Sequence, residues 1–200
     1  MNYFVTGASG FIGRRLVEKL LQRPDATVYY LILERELPMV TTLGQRWGEA
    51  AARTVPIIGD LTQPRLGVAD ADLARLKGNI RHLFHLAAIY DLKASAEIQE
   101  KVNIQGTRNA VAFAEAIEAG CFHQTSSIAA AGLYEGVFRE DMFEEAEELE
   151  NPYYRTKHES EGIVRRECSR PGGFTGPAPW SATRAPVKWT RSTVPTTSSS

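Results

Sequence analysis

The sequence predicts an α/β fold, a doubly wound parallel sheet, and three observations predict it. Strand-like and helix-like segments alternate five times, the pattern of a parallel sheet with crossover helices. The first alternation turns on Gly7-Ala8-Ser9-Gly10-Phe11-Ile12-Gly13, with a glycine at every third position. The composition able to build a core ends near residue 169, so the sheet is expected to be incomplete, with about five strands and a non-core C-terminal tail.

Each element has its own signal. Asn2–Thr6 is a short apolar run and reads as the first strand. From Phe11 to about Arg23, a helix places Phe11, Ile12, Leu16, Val17, Leu20 and Leu21 on one face. Thr27–Leu33, β-branched and aromatic, is the second strand, and a polar helix is expected between Met39 and Arg53. Val55–Gly59 is the third strand, with pairing expected to start after Pro56, which has no N–H to give. A short helix near Asp70–Lys77 leads to a fourth strand, His82–Ala87. Ala96 to Ala119 reads as one long helix stopped by Gly120. Cys121–Ser126 is the fifth strand, and after an acidic loop Tyr153 to about Cys168 forms the last helix. Right-handed crossovers put helices on both faces of such a sheet.

Two hundred residues suit one domain, and a formal charge of −1 excludes the broad basic face of a nucleic-acid binder. That average hides a division. Residues 1–168 carry 19 Lys and Arg against 24 Asp and Glu, whereas residues 169–200 carry four basic residues and no acid. The same 32 residues hold five of the ten prolines, two of the three tryptophans, and no Leu or Ile. The chain therefore divides into a dinucleotide-binding domain, 1–168, and a low-order tail, 169–200. Two cysteines without CxxC or metal-ligand spacing suit a reducing compartment. No leader pattern and no apolar run of the roughly 18–20 residues needed to span a bilayer is present, so a cytoplasmic protein without a membrane span is expected.

The glycine turn carries the first functional signal. Gly7 allows the tight turn, Gly10 lets backbone approach a pyrophosphate, and Gly13 permits close helix–sheet packing. The helix that follows offers free N–H groups and its positive dipole end to phosphate. Thr6, Gly7, Ser9, Gly10, Phe11, Ile12 and Gly13 are the candidate cofactor cradle.

Thr6–Gly13 resembles the fingerprint of the extended short-chain dehydrogenase/reductases, which have the Rossmann fold, and further segments agree in order. Gly59-Asp60-Leu61-Thr62 resembles the family's adenine-contact motif, with Asp60 as the ring contact and Leu61 beside it. His85-Leu86-Ala87-Ala88 resembles the motif whose backbone lines the cofactor, which assigns Ala87 and Ala88 to that role. Asn103 matches the family's helix asparagine. The wording VNIQGT, SSIAAAGLYEG and PYYRTKHESE is most similar to the thioester and fatty-acyl reductase-like, male-sterility-like branch, over residues 2–168. The cofactor implied is NADP or NAD. Glu34 and Arg35 stand where ribose selectivity is set, an acid favouring NAD and an arginine NADP. The branch usually has Arg where this chain has Leu33, and NADP is preferred only because the branch prefers it.

Tyr153 and Lys157 form a Tyr-x-x-x-Lys pair on one helical face. A tyrosine with an ordinary pKa of about 10 needs help to exchange protons near neutrality, and an ammonium one turn away favours the phenolate. Tyr154 points about 100° away. Ser126 and Ser127 end the fifth strand at the carboxyl edge, where open α/β sheets bind ligands. The resemblance implies Tyr153 as acid/base and cofactor contact, Lys157 as its tuner and ribose ligand, Ser127 as the hydroxyl that orients a substrate carbonyl, and Asn103 as the residue ordering the relay. Ser126 is expected to pack behind Ser127. The implied reaction is hydride transfer at a carbonyl or carbinol carbon of an acyl thioester, aldehyde or bulky alcohol. A sugar-nucleotide epimerase or dehydratase of the same fold, or an inactive nucleotide-binding remnant, is the alternative. No metal is expected: His82 and His85 lie three apart on a strand and face opposite sides, and His123 and His158 show no ligand partners. The acidic run Glu140–Glu150 reads as a solvated loop or lid.

The tail has a second reading. Back-translated with permitted codons and read one base earlier, Gly172–Ser199 can give WRVYRPGPMVSDSRTGEMDKIDGPYYFF. Its YRPG followed by SDSRTGE resembles the sixth-strand motif of the same family. Both tail tryptophans have a single codon, and each restricts the alternative frame to an NTG codon, Met in this reconstruction. One base lost near the codons for Pro171 and Gly172 accounts for this, and the bases across codons 168–175 decide it: if no YRPG-encoding frame lies one base earlier, the reading fails.

Overall fold

The computed structural model describes residues 1–90, 94–139 and 141–175. Six strands form one all-parallel sheet in the order β3-β2-β1-β4-β5-β6. They are β1 (Asn2–Thr6), β2 (Thr27–Ile32), β3 (Thr54–Ile58), β4 (His82–His85), β5 (Phe122–Thr125) and β6 (Gly172–Thr175). The helices are α1 (Phe11–Leu21), α2 (Met39–Trp47), α3 (Asp70–Leu76), α4 (Ala96–Gln99), α5 (Gly106–Ala116) and α6 (Pro152–Glu167).

Strand alternation distributes the core over both faces. Tyr3 and Val5 of β1 pack with Val17 and Leu21 of α1 and with Leu43 and Trp47 of α2. Phe4, between them in sequence, points to the other face with Leu83, Phe122, Phe113 of α5 and Ile163 of α6. The Phe4 and Phe113 rings lie 4.8 Å apart at 49°. This is the doubly wound arrangement that the alternation of elements predicts. The chain runs outward from β1 in both directions, so the topological switch point lies between β1 and β4, where Gly7 and Ala87 emerge.

Three details differ from expectation. Pairing of β3 begins at Thr54, opposite Val28, and Pro56 pairs in register with Tyr30. Because β3 is an edge strand, the missing proline N–H can face the open side. The helix expected over Ala96–Ala119 is interrupted by a π-helical segment, Glu100–Gln105, and ends at Ala116. Its exit uses Glu118 at φ +52°, while Gly120 is needed for a close pass against the Arg81 carbonyl, where a Cβ would lie 2.8 Å away. The sheet has six strands where about five were expected. The sixth comes from the first residues of the presumed tail, which pair with β5 from Phe122↔Gly172 to Thr125↔Thr175. This pairing is made by backbone alone, so Gly172 and Gly173 carry no apolar pattern that would announce it. The remainder of that segment, 176–200, lies outside the described residues, as does Glu140 of the acidic run.

Candidate active site

The carboxyl ends of the central strands open on a cleft of about 760 Å³, within the range of small-molecule sites. One wall is the glycine turn: Gly7, Ser9, Gly10, Phe11, Ile12 and Gly13 all line it. Gly7 adopts φ +74°, and a Cβ there would stand 2.8 Å from the Ala87 nitrogen. A Cβ on Gly13 would lie 2.0 Å from the Gly7 carbonyl oxygen, so α1 sits directly against the turn. The turn is closed by the Gly10 N–H donating to the Gly7 carbonyl at 3.0 Å. With no side chain at Gly7, Gly10 or Gly13, backbone N–H groups and the start of an 11-residue helix form the surface offered to a ligand, which fits a pyrophosphate.

Below this wall a buried polar chain ties β1, β4 and the π segment together. The Thr6 hydroxyl oxygen accepts from the backbone N–H groups of Leu86 and Ala87, both at 3.2 Å. Its proton is then donated to His85 Nδ1 at 2.8 Å. That assigns the His85 proton to Nε2, which donates to Thr107 Oγ1 at 3.2 Å, and Thr107 donates to the Asn103 carbonyl at 2.6 Å. Burial pushes the His85 pKa down to about 3, with the Lys157 charge adding to it, so the ring stays neutral as the chain of donors requires. Thr6 thus supports the floor beneath Ala87 and does not itself line the cleft, whereas Ala87 and Ala88 do.

The opposite wall carries the predicted catalytic residues. Ser127, Tyr153 and Lys157 all line the same cleft as the glycine turn. Ser127 caps a short 3-10 turn, its oxygen accepting from the Ala129 N–H at 3.2 Å, which leaves the hydroxyl proton to donate. Asn151 caps α6 by accepting from the Tyr153 N–H at 2.9 Å, and this fixes where Tyr153 enters the helix. One turn on, Lys157 is 3% exposed and its ammonium donates to the Thr125 carbonyl at 3.0 Å. Burial lowers its pKa to about 8, against an opposing pull from Glu161. Tyr154 does not line the cleft.

Other predicted residues are placed differently. Asn103 is buried in the π segment and brackets Ile89, accepting from its N–H at 2.8 Å and donating to its carbonyl at 3.0 Å. It also donates to Thr156 Oγ1 of α6 at 3.1 Å. Asn103 therefore holds a cleft-lining loop residue against α6, one layer behind the cleft. The Asp60 carboxylate accepts from the N–H and hydroxyl of Thr62, at 2.8 and 2.9 Å, and neither Asp60 nor Leu61 lines the cleft. At the end of β2, Leu33 and Glu36 line it, not Glu34 and Arg35, because residues Glu34–Glu36 coil into a 3-10 turn.

Sequence reasoning missed Glu161. The Ser126 hydroxyl donates to it, Arg165 lies 3.6 Å away, and it supplies the negative field at Lys157. Its spacing of four from Lys157 on one helix was the available signal. Sequence reasoning also left His123 without a partner. In the sheet, His82 Nδ1 lies 3.0 Å from His123 Nε2, with Cys121 beside them. The acids of the described part of the acidic run, 141–150, are exposed, while Met142 and Phe143 turn inward.

The chain is similar to known proteins. The model of the male sterility protein family matches residues 5–174. A linear gramicidin synthase of Brevibacillus parabrevis is 34% identical over 173 residues, which cover 80% of this chain and 3% of that protein. The terminal R domain from the myxalamid PKS-NRPS biosynthetic pathway superposes with a TM-score of 0.75 at 27% identity, covering 86% of this chain and 47% of that one. The reductase domain of a nonribosomal peptide synthetase from Mycobacterium tuberculosis shares the fold, with a TM-score of 0.70 at 22% identity, covering 86% and 46%. The chain thus spans less than half the length of each of these relatives. With its glycine turn, its Tyr153–Lys157 helix and this family match in agreement, the chain belongs to the male sterility protein family of NAD(P)-binding domains.

Proposed function

We propose that the chain is the nucleotide-binding, N-terminal portion of an NAD(P)-dependent reductase whose substrates are acyl thioesters or the aldehydes derived from them. The observation that carries this reading is the single cleft shared by the glycine turn and by Ser127, Tyr153 and Lys157. A reduced nicotinamide held between the glycine turn and Lys157 would supply the hydride for the substrate carbonyl carbon. The chain's own residues do the rest. Ser127 donates a hydrogen bond to the carbonyl oxygen, and Tyr153 delivers the proton as charge builds on that oxygen. Lys157, one helical turn below, stabilises the resulting phenolate and would offer a donor to a bound nicotinamide ribose. Glu161, held by Ser126 and Arg165, keeps Lys157 charged inside a buried site.

The similarity to R domains of peptide synthetases favours a thioester over a sugar nucleotide as substrate. Tyr90, Ile128 and Val137 are 80, 62 and 79% exposed, an apolar margin that further chain would cover. Little or no turnover is therefore expected from these 200 residues by themselves; an inactive nucleotide-binding remnant is the alternative reading. We further propose that the protein is cytoplasmic and takes no metal in its reaction, and that the residues from about 172 onward are out-of-frame translation. No helix among the described residues is long and apolar enough to cross a membrane.

Titration of the purified chain with NADH and NADPH, followed by nicotinamide fluorescence, tests the reading and decides the cofactor preference. Saturable binding of at least one dinucleotide is expected, and Tyr153→Phe should leave that affinity within about twofold, since the phenol acts on the substrate oxygen. Failure to bind either dinucleotide would sink the proposal.

A further inference from the structure

The amino-terminal edge of the sheet, opposite the nucleotide cleft, carries a second group of chemistry-bearing side chains. His82 opens β4, Cys121 immediately precedes β5, and His123 is the second residue of β5. The parallel register pairs Leu83 with Phe122 and Phe84 with His123, which sets His82 beside Cys121 and, diagonally, beside His123 on one face. One ligand atom from each residue lies within 4.8 Å of the other two, and all three residues are half-buried. The two imidazoles already touch, Nδ1 of His82 to Nε2 of His123 at 3.0 Å. Their orientation is imposed by packing: His82 stacks on Tyr3 at 5.9 Å, and His123 stacks on Phe84 at 4.5 Å.

We propose that His82, Cys121 and His123 form a binding site for a zinc-class divalent cation that cross-links β4 to β5. Two imidazole nitrogens and a thiolate are the borderline and soft donors that zinc, or cobalt in its place, prefers over oxygen-seeking magnesium and calcium. A tetrahedral ion with metal–nitrogen bonds near 2.0 Å and a metal–sulfur bond near 2.3 Å needs ligand atoms about 3.3–3.6 Å apart. The present separations reach this with side-chain shifts of about 1 Å, while the strands stay in register. Three protein ligands leave the fourth position to solvent. On binding, the Cys121 thiol gives its proton to solvent. The imidazole that donates across the pair re-protonates on its other nitrogen, so both rings coordinate as neutral ligands. Burial already disfavours the cationic form of both rings. Arg81 and Arg23 place positive charge beside His82, which opposes a dication. Burial holds the Cys121 thiol above its ordinary pKa, with Arg81 pulling the other way, so the metal itself must displace that proton. Nothing in this site depends on the nucleotide cleft, so the two readings fail independently.

The test adds cobalt(II) to the chelator-stripped 200-residue chain under reducing, oxygen-free conditions and reads the near-ultraviolet thiolate-to-cobalt band. One equivalent should develop the band, and zinc should bleach it. Cys121→Ser should abolish it, Cys168→Ser should keep it, and His123→Gln should weaken cobalt binding at least about tenfold. Zinc at a hundredfold excess over its dissociation constant should raise the melting temperature by about 5 °C or more in the wild type and not in Cys121→Ser. The proposal is overturned by the absence of the band, by its survival in Cys121→Ser, or by an equal zinc-induced melting shift in both proteins.

Discussion

Gly13→Ala is expected to remove nucleotide binding and to destabilise the chain by about 3 kcal/mol, although it adds a single methyl group to a helix. Helix propensity predicts the reverse, since alanine is favoured over glycine in a helix by up to about 1 kcal/mol. The geometry decides against propensity. The added Cβ would lie 2.0 Å from the Gly7 carbonyl oxygen and 2.8 Å from the Ala8 Cα, all backbone atoms of the turn that cannot rotate aside. Relief requires α1 to move off β1 by more than about 1 Å, which uncouples Val17 and Leu21 from Tyr3 and Val5. It also displaces the N–H groups that would meet the pyrophosphate. In a chain of this length about 3 kcal/mol corresponds to a fall of about 6–12 °C in melting temperature. Gly44→Ala is the control, because its Cβ would meet only the Ala51 Cβ at 3.9 Å. It should leave the melting temperature unchanged or slightly raised. A Gly13→Ala protein that melts with the wild type and binds dinucleotide within twofold would show that α1 is not seated on the turn as described.

How much of this was legible in the sequence follows from how local each signal is. The glycine turn, the strand–helix alternation and the Tyr153–Lys157 pair are encoded within a few residues, and each appears where its spacing places it. The strand-end pair Ser126-Ser127 was readable because both residues sit at the carboxyl edge; both line the cleft, although Ser126 was expected to pack behind Ser127. What failed was non-local or conformational. The insertion of one π turn at Glu100–Gln105 leaves no mark in a hydrophobic period, yet it positions Asn103 behind the cleft. Glu34 and Arg35 were chosen by their distance from the glycine turn, and the 3-10 turn over Glu34–Glu36, which that count does not register, brings Leu33 and Glu36 to the cleft lining. His82 and His123 are 41 residues apart, and only the β4–β5 register brings them together. The sixth strand is the extreme case, since two glycines pair through backbone groups that every sequence possesses.

Lys157→Met is expected to stabilise the nucleotide-free chain while abolishing its use of cofactor. Lys157 is the most demanding residue in the cleft, an ammonium 3% exposed with a single backbone acceptor at 3.0 Å. Burial brings its pKa from 10.5 down to about 8 even with Glu161 pulling the other way. Such a shift represents about 3 kcal/mol against the charged form. Methionine fills the same volume without a charge, and losing the bond to the Thr125 carbonyl returns about 1 kcal/mol. The net gain at pH 7 is about 1–2 kcal/mol, or about 2–8 °C in melting temperature. Glu161 keeps Ser126 and Arg165 as partners, so removing the lysine leaves no bare carboxylate. The sign with pH follows from linkage. A base whose pKa is lower folded than unfolded binds fewer protons in the native state between the two values, so wild-type stability should rise as the pH goes from about 8 to 10.5. Below pH 8 the cost is fully present. The variant lacks this rise, and the gap between the two proteins should narrow steadily over that window. Denaturant unfolding at pH 7, 9 and 10.5, with dinucleotide titration at pH 7, measures all of it. A variant less stable than the wild type at pH 7, or a gap that does not change with pH, would mean that Lys157 is solvated in the free protein and that its ammonium is not held in the cleft at the expense of stability.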